Sequence, residues 1–256
     1  MENNDVTQEE QAMGILQHLE ELRKVIIISL IAIVVCSIIS FVFVEQIVGV
    51  ITKPLAVQGI KPVFTAITEG IFTYFKIALI SGTILAAPVL LWQAWRFFVP
   101  ALYPHEKKYI YKLVPISIIL FVSGVVFAYF TIFPLAVYVL ITLASEFEPM
   151  LTISKYLSFC LNFLIPFGLV FEFPLIVYFL TKIGVITPQW LLHNRKYAIV
   201  IAFVLAAVLT PGPDPLSQLL MAAPMVVLYE VSIIVSKVVA KKRNAKFNEL
   251  NGEEVE

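Results

Sequence analysis

The residues best suited to recognition chemistry are gathered in one stretch, Phe97–Lys108 (FFVPALYPHEKK), between two long apolar runs. Pro100 and Pro104 fix φ and bias the preceding residue away from helix, so the loop holds one shape. A stiff loop that displays Glu106 beside aromatic surface reads as a recognition site. An interfacial anchor is the competing reading, with Phe97 and Phe98 at headgroup level and Lys107 and Lys108 on phosphates. The second chemically loaded residue is Glu172, set between Phe171 and Phe173 deep in an apolar run. A charged carboxylate mid-bilayer costs about 2.5–3.5 kcal/mol on insertion scales. Glu172 therefore stays protonated or faces a polar group of a partner, the plainer alternative being a hydrogen bond within the helix bundle. His18, His105 and His193 are scattered singly, and Cys36 and Cys160 lie inside apolar runs as small hydrophobes. With no Gly-rich phosphate loop and no nucleophile motif, the chain shows no enzyme active site.

The elements that must hold these residues are membrane helices. Of 256 residues, 60% are hydrophobic and only 14% charged, and the mean hydropathy is +0.92. Apolar runs of about 18 or more residues argue transmembrane helices. The acidic start, 1–24, lacks the basic region and cleavage site of a signal peptide. Thr7-Gln8-Glu9-Glu10 fits a capping box, and Ile15, Leu19, Leu22 and Ile26 then fall on one helical face. A short amphipathic helix lying at the membrane surface and running into the first span is expected there.

Six spans follow within 25–236. The first is Val25–Val44, and Pro54, Gly59 and Pro62 suggest a loop over Glu45–Glu69. The second is Gly70–Trp95, with Lys76 near one end and Pro88 as a kink. The third, Tyr111–Leu143, would be about 50 Å long as one helix, so it tilts, breaks at Pro134 or projects beyond a hydrocarbon core of about 30 Å. The fourth is Leu157–Leu180, followed by a polar connector, Thr181–Lys196. The fifth run, Tyr197–Leu209, reaches only about 20 Å. The sixth, Leu216–Ser236, is shortened by Pro224 and Glu230. Composition makes the tail, 237–256, basic, then acidic and disordered. Phe133-Pro-Leu-Ala-Val-Tyr and Phe173-Pro-Leu-Ile-Val-Tyr look alike, but chance in a restricted alphabet explains them better than duplication.

Charge placement sets the orientation. Arg23 and Lys24, then Arg96, Lys107, Lys108 and Lys112, then Lys182, Arg195 and Lys196, then Lys237, Lys241, Lys242, Arg243 and Lys246 share one side. The other side has Lys53, Lys61 and Lys155. By the positive-inside rule both termini and the Phe97–Lys108 loop are cytoplasmic. The fold expected is an all-α integral membrane protein, a concave bundle of six helices with short fifth and sixth members. A proton-coupled small-solute transporter using Glu172 is one functional reading of such a chain. It leaves the stiff loop and the two short spans unexplained.

Five segments together resemble the TatC component of the twin-arginine protein translocase: His18-Leu-Glu-Glu-Leu-Arg23, Phe97-Phe-Val-Pro-Ala-Leu-Tyr-Pro-His-Glu106, Pro166-Phe-Gly-Leu-Val-Phe-Glu-Phe-Pro174, Thr210-Pro-Gly-Pro-Asp214 and Leu228-Tyr-Glu230. The resemblance implies a protein of the cell membrane that binds Arg-Arg signal peptides at its cytoplasmic face. With TatA/TatB-type single-span partners, it would move folded cargo proteins using the proton-motive force. It also implies self-association in a larger complex, no cofactor, no metal and no nucleic acid. It assigns signal-peptide binding to Glu21, Arg23, Phe97, Pro100, Leu102 and Glu106, with Arg23 orienting a neighbouring carboxylate. Glu172 and Gln218 become intramembrane polar contacts to a partner, and Asp214 belongs to an outer turn. Gly212 and Pro215 depart from the Thr-Pro-Pro-Asp usual in that family. Paired guanidinium groups call for carboxylates that accept parallel N–H donors, which suits Glu21 and Glu106.

Overall fold

The structure, a computed structural model, describes residues 2–57, 62–63, 66, 68–98, 107–143, 151–209 and 215–251. Within these, residues 2–18, 57, 98, 107–111, 162, 244 and 246–251 are described by backbone alone. The chain is helical: α1 (Glu2–Val42), α2 (Val44–Val57), α3 (Glu69–Phe98), α4 (Lys107–Phe127), a π-helical turn (Ala128–Ile132), α5 (Phe133–Leu143), α6 (Ile153–Phe171), α7 (Phe173–Lys182), α8 (Pro188–His193), α9 (Arg195–Leu209) and α10 (Pro215–Asn251). The one extended pairing among the described residues is an isolated bridge between Val63 and Thr152. Five stretches among the described residues are long and apolar enough to cross a membrane: Leu19–Val42, Glu69–Phe97, Lys112–Leu143, Ile153–Lys182 and Pro215–Arg243. The 15-residue α9 falls short of that length, as its apolar run suggested.

Helix α1 begins at Glu2 and runs without interruption into its apolar half, so Thr7 lies inside the helix rather than capping its start. Two compact units divide the chain, one formed by Met1–Val48 with Tyr74–Ile118, the other by Gly49–Thr73 with Ile119–Glu256. In the first unit α1 packs on α3 through Gly82. A β-carbon there would stand 2.5 Å from the backbone of Ser37, so only glycine permits this approach. Phe41 stacks on Phe75 with ring centroids 5.1 Å apart, and Trp95 Nε1 donates to Ser117 Oγ at 3.1 Å.

In the second unit, proline chemistry explains one departure from expectation and one break that was expected. Residues 44–57 form a helix rather than a loop although Pro54 lies inside it. Proline has no N–H, so the Val50 carbonyl four residues earlier loses its helical donor. The Tyr129 hydroxyl supplies one at 2.7 Å, and the Tyr156 hydroxyl donates to the next carbonyl, Ile51, at 2.9 Å. The long third run is interrupted just before Pro134, where the ladder widens into the π turn and the Phe133 N–H reaches back to Ala128. Pro174 similarly follows a turn at Glu172, whose N–H bonds to the carbonyls of Leu169 and Val170. The two look-alike Phe-Pro segments thus do the same local work, each starting a new helix.

An aromatic row on α6 fills this unit. Tyr156, Phe159, Phe163 and Phe167 recur every three or four residues and contact one another or Phe133 at centroid distances of 5.0–6.4 Å. A smaller core joins α7, α8 and α10 through Val177, Leu191 and Ile233. The connector 181–196 is ordered by α8, which Thr187 caps by accepting from the Trp190 N–H. Helix α10 continues to Asn251, through the tail that composition marks as disordered. The segments before α3 and at the start of α6 are joined by Glu69, whose carboxylate accepts from the N–H of Ala66 and of Ser154, each at 3.3 Å.

Replacing Gly82 with leucine forces the α1–α3 contact apart, and overpacking of this kind costs about 1–3 kcal/mol. Thermal unfolding of the detergent-solubilised chain should show a clear fall in Tm for Gly82→Leu. Gly49→Ala, where an added β-carbon meets nothing within 4 Å, should leave Tm unchanged or slightly raised.

Candidate functional site

Two helices of the first unit enclose a cleft of about 130 Å³. From α1 come Glu21, Lys24, Val25 and Ile28, spaced i, i+3, i+4, i+7 and therefore on one face. From α3 come Gln93, Arg96 and Phe97, spaced i, i+3, i+4. The structure thus brings together two of the residues singled out in the sequence, Glu21 and Phe97, from distant parts of the chain. Glu21 is half-buried and makes no ion pair among the described residues. Lys24 is held by Glu20 one helical turn earlier, Nζ to Oε1 at 2.9 Å, in an exposed pair of small energetic weight.

Arg23 does not share this cleft. Two positions along a helix from Glu21, it falls on another face and is exposed. Pro100, Leu102, Glu106 and Asp214 lie outside the described residues.

Gln93, a residue the sequence reading passed over, is the buried member of the lining, at 5% exposure. It forms the floor. Its side-chain oxygen has no hydrogen-bond partner among the described residues, an expensive state for a buried acceptor. The signal was present in the sequence as a polar residue inside an apolar run, on the same helical face as Phe97 and one turn before it.

The second unit holds the intramembrane candidates. Glu172 is buried, at 5% exposure, and occupies the turn between α6 and α7. Gln218, on α10, donates through Nε2 to the Phe203 carbonyl of α9 at 3.0 Å. Its amide therefore ties two helices of its own chain together. Neither residue lines the larger groove of this unit, about 580 Å³, formed by residues such as Leu169, Phe173, Tyr197, Ile201, Met225 and Tyr229. Around it Tyr229 donates to the Leu191 carbonyl at 2.7 Å, and Arg195 pairs with Glu230 at 2.5 Å.

Comparison with known proteins agrees with this architecture. Residues 17–224 match the sequence profile described as Sec-independent protein translocase protein (TatC). A protein of that name from Carboxydothermus hydrogenoformans is 52% identical over 235 residues, covering 91% of this chain and 97% of that one. Its namesake from Aquifex aeolicus is 42% identical, covering 90% and 98%. A crystal structure of a twin arginine translocase receptor, TatC, superposes with a TM-score of 0.80 at 42% identity, covering 87% of this chain and 99% of that one. This is a family of transport proteins rather than enzymes, and the small-solute transporter reading falls away. The apolar helices and the match over most of the length lead to one assignment: the chain belongs to the TatC family of Sec-independent protein translocases and is a multi-pass membrane protein.

Proposed function

We propose that this component of a twin-arginine translocase receives Arg-Arg signal peptides at the cytoplasmic face. The residues involved are Glu21, Phe97, Pro100, Leu102 and Glu106, with Arg23 acting on the neighbouring carboxylate. The observation that carries this reading is the cleft that α1 and α3 form around Glu21 and Phe97. A carboxylate next to an aromatic face suits a guanidinium, which pairs with the one and stacks on the other. In this reading α9 makes the sixth crossing, residues 1–24 and 237–256 are cytoplasmic, and the membrane is the cell membrane. TatA/TatB-type single-span proteins dock near the short α9, and several copies assemble with them to pass folded cargo under the proton-motive force.

Within the membrane Glu172 and Gln218 meet polar residues of a partner's span, and Asp214 belongs to an outer turn. A helix as short as α9 thins the surrounding lipid or draws other helices beside it. That favours a docking platform over a sealed channel.

Capture is tested by crosslinking. An Arg-Arg signal peptide should label wild type strongly and the Glu21→Gln/Glu106→Gln double variant at least fivefold less, while protease protection shows both inserted. Equal labelling would overturn the assignment. For the intramembrane site, Glu172→Gln keeps a hydrogen-bonding group and should retain most export. Glu172→Leu leaves the partner's polar group unpaired and should lose most of it. Crosslinks from positions 172 and 205 to single-span partners during transport check this, and unchanged contacts with normal export in Glu172→Leu would remove the proposed role.

A further inference from the structure

The cleft between α1 and α3 holds more chemistry than one carboxylate. Gln93 is its buried member, with a side-chain oxygen that no group among the described residues satisfies. A buried acceptor without a partner costs about 1–3 kcal/mol, so such a group is retained where a ligand supplies the missing donor. Gln93 lines the cleft together with Glu21, Lys24, Val25, Ile28, Arg96 and Phe97, so a ligand seated there is the candidate donor. Lys24 and Arg96 are themselves donors, but both are exposed, and Lys24 is engaged by Glu20.

We propose that Gln93 determines specificity for arginine. Its oxygen receives one N–H of a signal-peptide guanidinium at the cleft floor, while the Glu21 carboxylate takes others from the rim. This rests on the reading of the cleft as the signal-peptide site and deepens it. Two acceptors on different helices approach the ligand from different directions. A guanidinium offers five N–H donors in a rigid plane and is weakly hydrated, so it meets both and desolvates at modest cost. A lysine ammonium is compact and strongly hydrated. It pairs with Glu21 at the rim but gives up water to reach the floor. The carboxylate alone favours any cation; the buried amide oxygen separates arginine from lysine.

The test uses the full-length chain in detergent or nanodiscs. Synthetic signal peptides carrying Arg-Arg, Lys-Arg, Arg-Lys or Lys-Lys are titrated by fluorescence anisotropy. Loss of one hydrogen bond to a charged donor corresponds to roughly tenfold in Kd. Gln93→Leu should weaken the Arg-Arg peptide roughly tenfold, change the weakest lysine-containing peptide by less than twofold, and so flatten the discrimination. Gln93→Glu, which only accepts, should keep or strengthen Arg-Arg binding; it also serves where the leucine variant fails to fold. If Gln93→Leu weakens all four peptides equally or none, or if Gln93→Glu loses Arg-Arg binding as leucine does, the proposal is overturned. Glu21→Gln separates this from failure of the cleft itself. Undiminished binding of every peptide to Glu21→Gln would show that the peptide lies elsewhere, whereas loss there with unaltered discrimination in Gln93→Leu removes the role of Gln93 alone.

Discussion

A backbone carbonyl that loses its helical donor must find another, and leaving it unmet costs several kcal/mol where water is excluded. Prolines of this chain make such carbonyls, and at two places in the second unit the structure shows how the donor is replaced. Pro54 strips Val50, and Tyr129 answers from the π turn. The π turn exists because Pro134 cannot continue an ordinary ladder, so the turn that Pro134 produces carries the hydroxyl that Pro54 requires. At Glu172 the same problem is met within the backbone, the Glu172 N–H reaching Leu169 and Val170 just before Pro174 starts α7. The turn that results carries the buried carboxylate.

The first unit follows a different constraint, close approach. Gly82 lets α3 meet α1 at backbone distance, and farther along the same pair of helices a face of each lines the cleft. Each contributes side chains at helical spacing, so the cleft needs no loop to build it. Its chemistry is mixed. Apolar Val25, Ile28 and Phe97 exclude water, Glu21 supplies charge, and Gln93 supplies an acceptor below them.

Much of this was legible in the sequence because membrane helices announce themselves by length and apolarity. The break near Pro134, the short α9 and the burial of Glu172 could all be read from residue order and the 1.5 Å rise. Pairing across the fold could not. Pro54 reads locally as a helix breaker, and nothing nearby reveals that Tyr129 rescues the carbonyl it frees. Gln93 was missed for a related reason: its importance lies in burial against another helix, which periodicity within α3 hints at and only the fold reveals. Composition alone also says nothing of the continuation of α10 through described residues 237–251, where a charged segment continuous with an apolar helix inherits its hydrogen-bonded ladder instead of nucleating its own.

That continuity makes α10 a lever. Its 37 residues extend about 55 Å, far more than a bilayer's apolar thickness. Short of its far end it is pinned to α7: Thr181 and Ser236 share a buried hydrogen bond of 2.8 Å, and Arg243 donates to the Thr181 carbonyl at 2.9 Å. Gly184, at φ +84°, keeps clear the space the guanidinium occupies, since a β-carbon there would stand 2.8 Å from it. These contacts act as a fulcrum. A load applied near Asn251 is met first at Thr181 and Arg243, and farther along the same helix Gln218 ties α10 to α9. Anything fused to this end of the chain is therefore mechanically connected to the interior of the bundle, and its drag or binding partners are felt there.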